Sequence, residues 1–282
     1  PVGPTLTRDI PMLRMPWTET EPGHLEIDLV HHCGPSASGD YGYTLQWIDV
    51  ATGWSERVAV LGRGYRVMED AFLRILRRLP FPARELHPDN GSEFFNAHML
   101  RFFGKKVHGA RVSRSRPYHK NDNRFVEQKN SSLVRDYLGY DRLDTVAHIL
   151  ALHQLYDAMW IYYNLFQPVL HLVAKEVVPA TADQPARLRR HHDDARTPFD
   201  RLCATGVLET PRREQLERLR DRTNPRRLRE AIYDQIEHVL SLPGAVPGQP
   251  EDVGLTLGVY TISWDDDRSP VTLSIGEQVP VR

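Results

Sequence analysis

Apolar and polar positions alternate from His24 to Val30, with Leu25, Ile27 and Leu29 on one side and Glu26 and Asp28 on the other. That two-residue period predicts a strand. Tyr41 to Val50 and Trp54 to Leu61 read as two more, joined by the loop Gly34–Gly39 and the turn Asp49–Gly53, so the chain opens as an antiparallel meander. The period changes at Tyr65: Val67, Ala71, Phe72, Ile75, Leu76 and Leu79 recur at helical spacing until Pro80 and Pro82 end the run. A short strand from Ala83 to His87 then delivers Asp89 just past its end. Asn96 is suited to cap a helix reaching about Phe103, and Val107 to Ser113 reads as a fifth strand. A polar loop rich in Asn leads into a helix whose early acid is Glu127. Thr145 to about Phe166 is a long, heavily apolar helix stopped by Pro168.

Three hairpin-connected strands followed by helix–strand–helix–strand–helix describe an α/β domain with a mixed five-stranded sheet. Ligands collect at strand ends in such sheets. If the first and fourth strands are neighbours, Asp28, Asp89 and Glu127 converge at one edge. Beyond Pro168 the stretch to Pro198 mixes apolar residues with Arg187, Arg189, Arg190, His191 and His192. Thr210-Pro211 and Asn224-Pro225 each look like a cap followed by Pro at the first helical position, starting arginine-studded helices over 211–222 and 225–241. From Leu242 onward Pro and Gly dominate, and Val259–Trp264 and Val271–Ile275 have the pattern of a hairpin across DDDRSP. The expected organisation is an irregular lead-in (1–22), an α/β core (23–168), a basic, mainly helical region (169–242) and an acidic tail (243–282), either a hairpin or disordered. That tail is read as mobile or as an assembly arm.

Composition narrows the function classes. The 282 residues are 40% hydrophobic and 26% charged, ordinary for a soluble protein, with room for a full core and an appended unit. No apolar run approaches the roughly 20 residues of a membrane span. No signal pattern opens the chain, so the expected location is the cytoplasm, on DNA when bound. Starting at Pro1 rather than Met, it reads as a piece of a longer protein. Two cysteines, Cys33 and Cys203, exclude a disulfide framework or a zinc site built on cysteine pairs. Adjacent His31, His32 and Cys33 alternate faces on a strand and cannot wrap one ion, so they read as structural. The formal net charge of −1 hides segregation. From Lys105 to Arg135 there are nine Lys or Arg against Asp122 and Glu127, which invites a polyanion and a metal ion together.

Cutting or joining a phosphodiester requires an activated attacking oxygen and a stabilised leaving oxygen, and two divalent ions about 3.5–4 Å apart do both. Hard cations such as Mg²⁺ are held by carboxylates and water. Asp28, Asp89 and Glu127 supply such a cluster. The blocks HPDNGSEF (His87–Phe94), SRPYHKNDNRFVEQKN (Ser115–Asn130) and YNLFQP (Tyr163–Pro168) resemble the integrase catalytic core of bacterial insertion-sequence transposases and retroviral integrases. Asp89 and Glu127 are 38 apart (127 − 89 = 38), slightly more than that family's usual spacing. The resemblance covers roughly Gly23 to Pro168. It implies a ribonuclease-H-like fold with a DDE triad, here Asp28, Asp89 and Glu127, as catalytic and metal-binding residues. It further implies two Mg²⁺ or Mn²⁺ ions, cleavage at an element end, 3′-hydroxyl attack on target DNA, and a multimer working on paired ends.

Arg114, Arg116, Lys120, Arg124 and Lys129 are candidate phosphate contacts, and Tyr118 is a candidate base-stacking residue. Asn121 and Asn123 fit a loop that closes over DNA. Asp49 is expected to close a turn, Asp122 to cap the helix of Glu127, and Glu93 to serve only its loop. Two rivals to the transposase reading are a nuclease of the same fold that cuts without joining and a catalytically silent, domesticated DNA-binding or scaffold protein.

Overall fold

In the computed structural model the described residues are 10–16, 18–107, 109–116, 122–180, 184–258, 260–262 and 273–275. Three strands, β1 (His24–His32), β2 (Gly42–Asp49) and β3 (Ser55–Leu61), form the antiparallel meander, with α1 (Tyr65–Arg78) after it. Then come β4 (Glu85–Pro88), α2 (Ala97–Lys106), β5 (Arg111–Val112), α3 (Arg124–Asn130), α4 (Asp136–Leu138) and α5 (Val146–Leu165). The sheet order is β3-β2-β1-β4-β5, with β1 antiparallel to β2 and parallel to β4, and β4 parallel to β5. This is the mixed, helix-flanked sheet of the ribonuclease-H-like integrase core.

The alternation in β1 sorts its side chains between two cores. Leu25, Ile27 and Leu29 pack with Leu45, Trp47 and the apolar stripes of α1 and α2, including Phe72, Ile75, Phe102 and Phe103. On the opposite face Val30, Ala59 and Leu61 meet Ile149, Leu152, Leu155 and Met159 of α5. Helix α5 is apolar around its whole circumference because it lies between that face and the C-terminal helix α8 (Pro225–Ser241), whose Ile232, Ile236 and Val239 share its cluster. Glu26 and Asp28 are thus carried on a strand covered on both sides.

Several expectations change. Strand β5 is two residues long, because α2 runs on to Lys106, Val107 closes it through its N–H to Phe103 O, and Gly109 turns the chain with φ +82°. The lead-in is not wholly irregular: Met12 bridges Arg114 beside that edge. The region expected to be mainly helical begins with an antiparallel ribbon, β6 (Leu172–Val178) paired with β7 (Arg187–His192). The β-branched Val173, Val177 and Val178 favour extended backbone there. Helices α6 (Pro198–Thr205), α7 (Thr210–Arg222) and α8 follow, and Asn224 caps α8 through the N–H groups of Arg226 and Arg227. The stretch after Leu242 is docked, not loose, as far as Gly258. Ala245 N–H donates to Asp144, Val146 N–H donates to Glu251, and Gly258 N–H donates to Asp70. Further on, β8 (Tyr260–Ile262) pairs with β9 (Leu273–Ile275), the hairpin expected across DDDRSP. No helix among the described residues is long and apolar enough to cross a membrane.

A buried polar cluster ties β4 to its neighbours. Glu85 accepts from Ser113 Oγ (2.5 Å) and Arg111 Nη2 (3.0 Å) and pairs with His24 Nδ1 (3.1 Å). Burial alone would raise the Glu85 carboxyl, but the His24 and Ser113 hydrogen bonds and the Arg111 charge outweigh it and hold it at about 2. The stabilisation is therefore complete above the ordinary value of 4.5 and lost as pH falls from there through about 2. His24, raised by Glu85, adds stability that is complete below 6.5 and disappears as pH rises through its elevated value. Glu85→Ala should destabilise the protein by on the order of 3 kcal/mol at neutral pH. In denaturant titrations the gap between wild type and Glu85→Gln should close as pH drops below about 4.5.

Candidate active site beside the central strand

The last paired residues of the β1–β4 ladder are Ile27 and Pro88, so the next residue on each strand, Asp28 and Asp89, come side by side. Their electrostatics record that proximity. Burial first, then the charge of Asp28, pushes the Asp89 carboxyl up to about 6, against the pull of a 2.9 Å hydrogen bond from Gly91 N–H. Asp28 is also raised, by burial and by the charges of Glu127 and Glu93. Hydrogen bonds from Leu29 N–H (2.8 Å) and Asn130 Nδ2 (2.6 Å) partly offset this.

Helix α3 brings Glu127 to this edge, and β1 itself holds the helix. The Glu26 carboxyl, fully buried two residues before Asp28, accepts from Phe125 N–H (2.8 Å) and Val126 N–H (3.0 Å) through one oxygen. It thereby satisfies donors that a helix N-terminus leaves open. Burial drives this carboxyl up to about 8 even though both N–H groups and Arg124 pull the other way. At neutral pH it is therefore largely a neutral acid. Asp122 does not cap the helix as expected: it takes Arg116 as a bidentate partner, Oδ2 to Nε at 2.8 Å and Oδ1 to Nη2 at 2.9 Å. Asn123 makes no side-chain cap bond either. At the other end of α3, Asn130 anchors on Asp28, so Glu127 sits between two ties to one strand. Past Asn130 the rod loosens into a π-helical turn, Ser131–Arg135, before α4 and Gly139.

A fourth carboxylate lies beside these. A Cβ at Gly91 would stand 2.5 Å from Glu93 Oε1 and 3.0 Å from Asp89 Oδ1, so both acids reach over this glycine. Glu93 is buried and paired with Arg63 at 3.0 Å. Its reading as a mere loop residue is incomplete. Asp49 does close its turn, accepting from Gly23 N–H, Thr52 N–H and Thr52 Oγ. His32 is buried against Thr44 and held down at about 3 by burial, and the His31 ring meets Tyr43 edge-on, so the His-His-Cys run is structural.

Among the described residues no group of three or more His, Cys, Asp or Glu side chains is gathered closely enough to hold a metal ion. Asp28 and Asp89 come together; Glu127, on the exposed flank of α3, reaches Asp28 as a repelling charge. Like charges disfavour closer approach unless a cation compensates them. The donor chemistry itself suits a hard divalent cation: carboxylate oxygens on two adjacent strands and a longer acid from a helix. Of the candidate DNA contacts, Arg116 is engaged by Asp122, and Arg114 reaches Ile10 O and Asn90 at 3.4 Å. Arg124 and Lys129 lie on another flank of α3, where burial and the Arg57 guanidinium lower Lys129. Tyr118, Lys120 and Asn121 fall outside the described residues.

No family model matches the chain. It is 38% identical over 176 residues to Uncharacterized protein y4rM of Sinorhizobium fredii (strain NBRC 101917 / NGR234), a match covering 62% of this chain and 48% of the relative. The chain therefore spans about half the length of the curated relative it matches. Among solved structures it is similar to the simian T-cell lymphotropic virus intasome in complex with PP2A regulatory subunit B56 gamma. There the identity is 15% and the TM-score 0.38, over 46% of this chain and 44% of that one. It is also similar to the catalytic core domain of BIV integrase, with 18% identity and a TM-score of 0.33 over 41% and 68% of the two chains. The strand order and directions, not these partial likenesses, are what make the fold integrase-like.

Glu26→Ala should leave the buried Val126 N–H and the half-buried Phe125 N–H without an acceptor, at a cost of about 2 kcal/mol. Glu26→Gln keeps a carbonyl oxygen in place and imitates the neutral acid. Amide hydrogen exchange at Phe125 and Val126 should therefore accelerate in the Ala variant and stay near wild type in the Gln variant.

Proposed function

We propose that this chain is a DDE-type transposase or integrase that cleaves DNA strands and joins a freed 3′-hydroxyl to target DNA, with Asp28, Asp89 and Glu127 as its catalytic acids. The observation that carries this reading is the placement of Asp28 and Asp89 each one residue past the last pair of the parallel β1–β4 ladder, beside a helix fastened to β1 at Glu26 and Asp28. Those three carboxylates would hold Mg²⁺ or Mn²⁺. Bound there, divalent ions activate the attacking oxygen and stabilise the leaving one.

The remaining work falls to the chain. Asn130 fixes the rotamer of Asp28 by donating to Oδ2, and Gly91 N–H does the same for Asp89. Their raised proton affinities keep both carboxylates responsive to an incoming positive charge, since deprotonation and cation binding favour each other. Arg63 offsets the charge of Glu93, so that this fourth acid does not add a full repulsion to the pair. Helix α3 sets the depth of Glu127 through its bonds to Glu26. DNA element ends and a target are the proposed substrates, met as a multimer.

Incubation of the chain with labelled DNA and Mg²⁺ or Mn²⁺ tests the proposal. Joined products support it, cut-only products reduce it to a nuclease of this fold, and binding without turnover makes the chain a silent DNA-binding protein. Asp89→Asn and Glu127→Gln should abolish cleavage while DNA affinity is unchanged or higher. Asn130→Ala, one bond removed from the metal ligands, should cost about 10–100-fold in rate. With Asp89 held at about 6, turnover at limiting metal should climb with pH through that value as the carboxylate ionises. Saturating metal should flatten the rise.

A further inference from the structure

The guanidinium of Arg57 is a buried charge without a hydrogen bond. The residue lies on β3, 2% exposed, and none of its three side-chain nitrogens has a partner among the described residues. Gln46, opposite it on β2, is as deeply buried and as unpartnered at both ends of its amide. What covers the guanidinium is aromatic: it stands 5.5 Å from the centre of the Tyr163 ring and 6.0 Å from that of Tyr156. Burial lowers its pKa only to about 10, so it is a cation at neutral pH. Such a charge is costly where it sits, and water screens its field little.

Tyr163 is also part of the wall of a pocket of about 330 Å³. Lys129 and Ser132, from α3 and the π-helical turn, line it on one side, Tyr162 and Tyr163 of α5 on the next, and Arg229 of α8 on the third. No acid lies among its described lining residues. The charge of Arg57 reaches this pocket, because after burial it is what lowers the Lys129 ammonium. The polar groups that act on Arg229 are tyrosines: Tyr233, whose ring lies 5.7 Å away, then Tyr162 and Tyr137. The aromatic wall is fixed, since Tyr137 and Tyr163 share a hydrogen bond between hydroxyls and Tyr162 meets Tyr163 edge-on at 5.3 Å. Glu127 and Lys129 are two residues apart, roughly 200° around a helix. The pocket therefore lies on the side of α3 away from Glu127.

We propose that this pocket binds a free nucleoside monophosphate, its phosphate held by Arg229 and Lys129 in the field of Arg57 and its base laid against the Tyr162–Tyr163 wall. Two cations at the surface, a third behind them and no opposing acid suit a doubly charged phosphate. Fixed tyrosine rings suit a flat base, from which a bare anion would gain nothing. The volume is that of a small-molecule site. Lys129 belongs to the last turn of α3 and Ser132 to the π-helical turn, so a molecule seated here ties together the two segments behind Glu127. The site is an effector site set apart from the acids, and its occupation does not depend on the reading of this chain as a DNA enzyme.

Calorimetric titration of the full chain with AMP, GMP, CMP and UMP in EDTA tests the pocket with no metal at the acids. At least one monophosphate should bind, and its nucleoside should bind about 10–100-fold more weakly for want of charge-assisted hydrogen bonds. Arg229→Gln, at an exposed position of α8, should weaken the monophosphate by about 10-fold. Arg57→Gln should weaken it as well, and Arg57→Lys, which keeps the charge, should restore it. Asp89→Asn should leave the affinity unchanged. Amide exchange over 131–135 should slow when the nucleotide is bound. No binding by any of the monophosphates, equal binding of the nucleoside or of inorganic phosphate, or wild-type affinity in Arg229→Gln overturns the pocket and leaves the catalytic reading standing. A chain that binds nucleotide in this pattern but never cleaves DNA overturns the catalytic reading alone. Displacement of the nucleotide by a DNA duplex whose own affinity falls in Arg229→Gln would make the pocket part of a DNA surface and overturn the proposal.

Discussion

A strand covered on both faces cannot carry polar side chains unless something inside the protein answers them. β1 carries two acids, Glu26 and Asp28, and helix α3 answers both: its first N–H groups sit on Glu26 and its last side chain, Asn130, sits on Asp28. The requirement works in both directions. The strand needs donors, and the helix needs an acceptor at its start that the Asn123 side chain does not provide. The local position of Glu127 thus follows from the desolvation of a residue about a hundred positions earlier in the chain.

The same logic explains why the acids sit where they do without collapsing onto one another. Asp28 and Asp89 are brought together by parallel pairing of β1 and β4, which fixes backbone and not charge. Their carboxyls are then held by hydrogen bonds from Leu29 N–H, Asn130 Nδ2 and Gly91 N–H, which only partly offset the rise in proton affinity that burial and like charge impose. Glu93 is tolerated nearby because Arg63 covers it. The result is a set of hard oxygen donors held under mutual repulsion, the condition in which a divalent cation contributes most.

Much of this was legible in the residue pattern, and the failures have physical causes. The period of two in β1–β3 and the stripe of α1 reflect burial of whole faces, so they survive folding as written. Asp28, Asp89 and Glu127 stand out in the sequence through the integrase-like blocks and the basic surroundings of Glu127; the structure sets Asp28 and Asp89 just past the β1–β4 ladder and Glu127 within electrostatic reach of Asp28. Glu26 does not stand out: it alternates with apolar residues like any exposed strand acid, and only the cover over β1 turns it inward. Glu93 gives no such signal, because its approach to Asp89 is made over the short turn at Gly91, a short-range fact without periodicity. The ribbon at 172–192 was misread for a related reason. Its arginines and histidines dilute the apolar alternation on both strands. Asp122 was given to the helix by proximity, whereas a bidentate arginine offers it more than two backbone amides.

Glu251 closes the N-terminal turn of α5 from more than a hundred residues downstream, beside the local Thr145 and His148 capping box. The longest helix of the core is therefore finished by a segment that follows it in the chain by more than a hundred residues. Without that segment, the Val146 amide has no such carboxylate to meet, and the adjoining core of α5 and α8 lacks part of its cover. In this fold the five strands of the sheet all precede α5, while the layer that backs them is capped from a segment beyond α8.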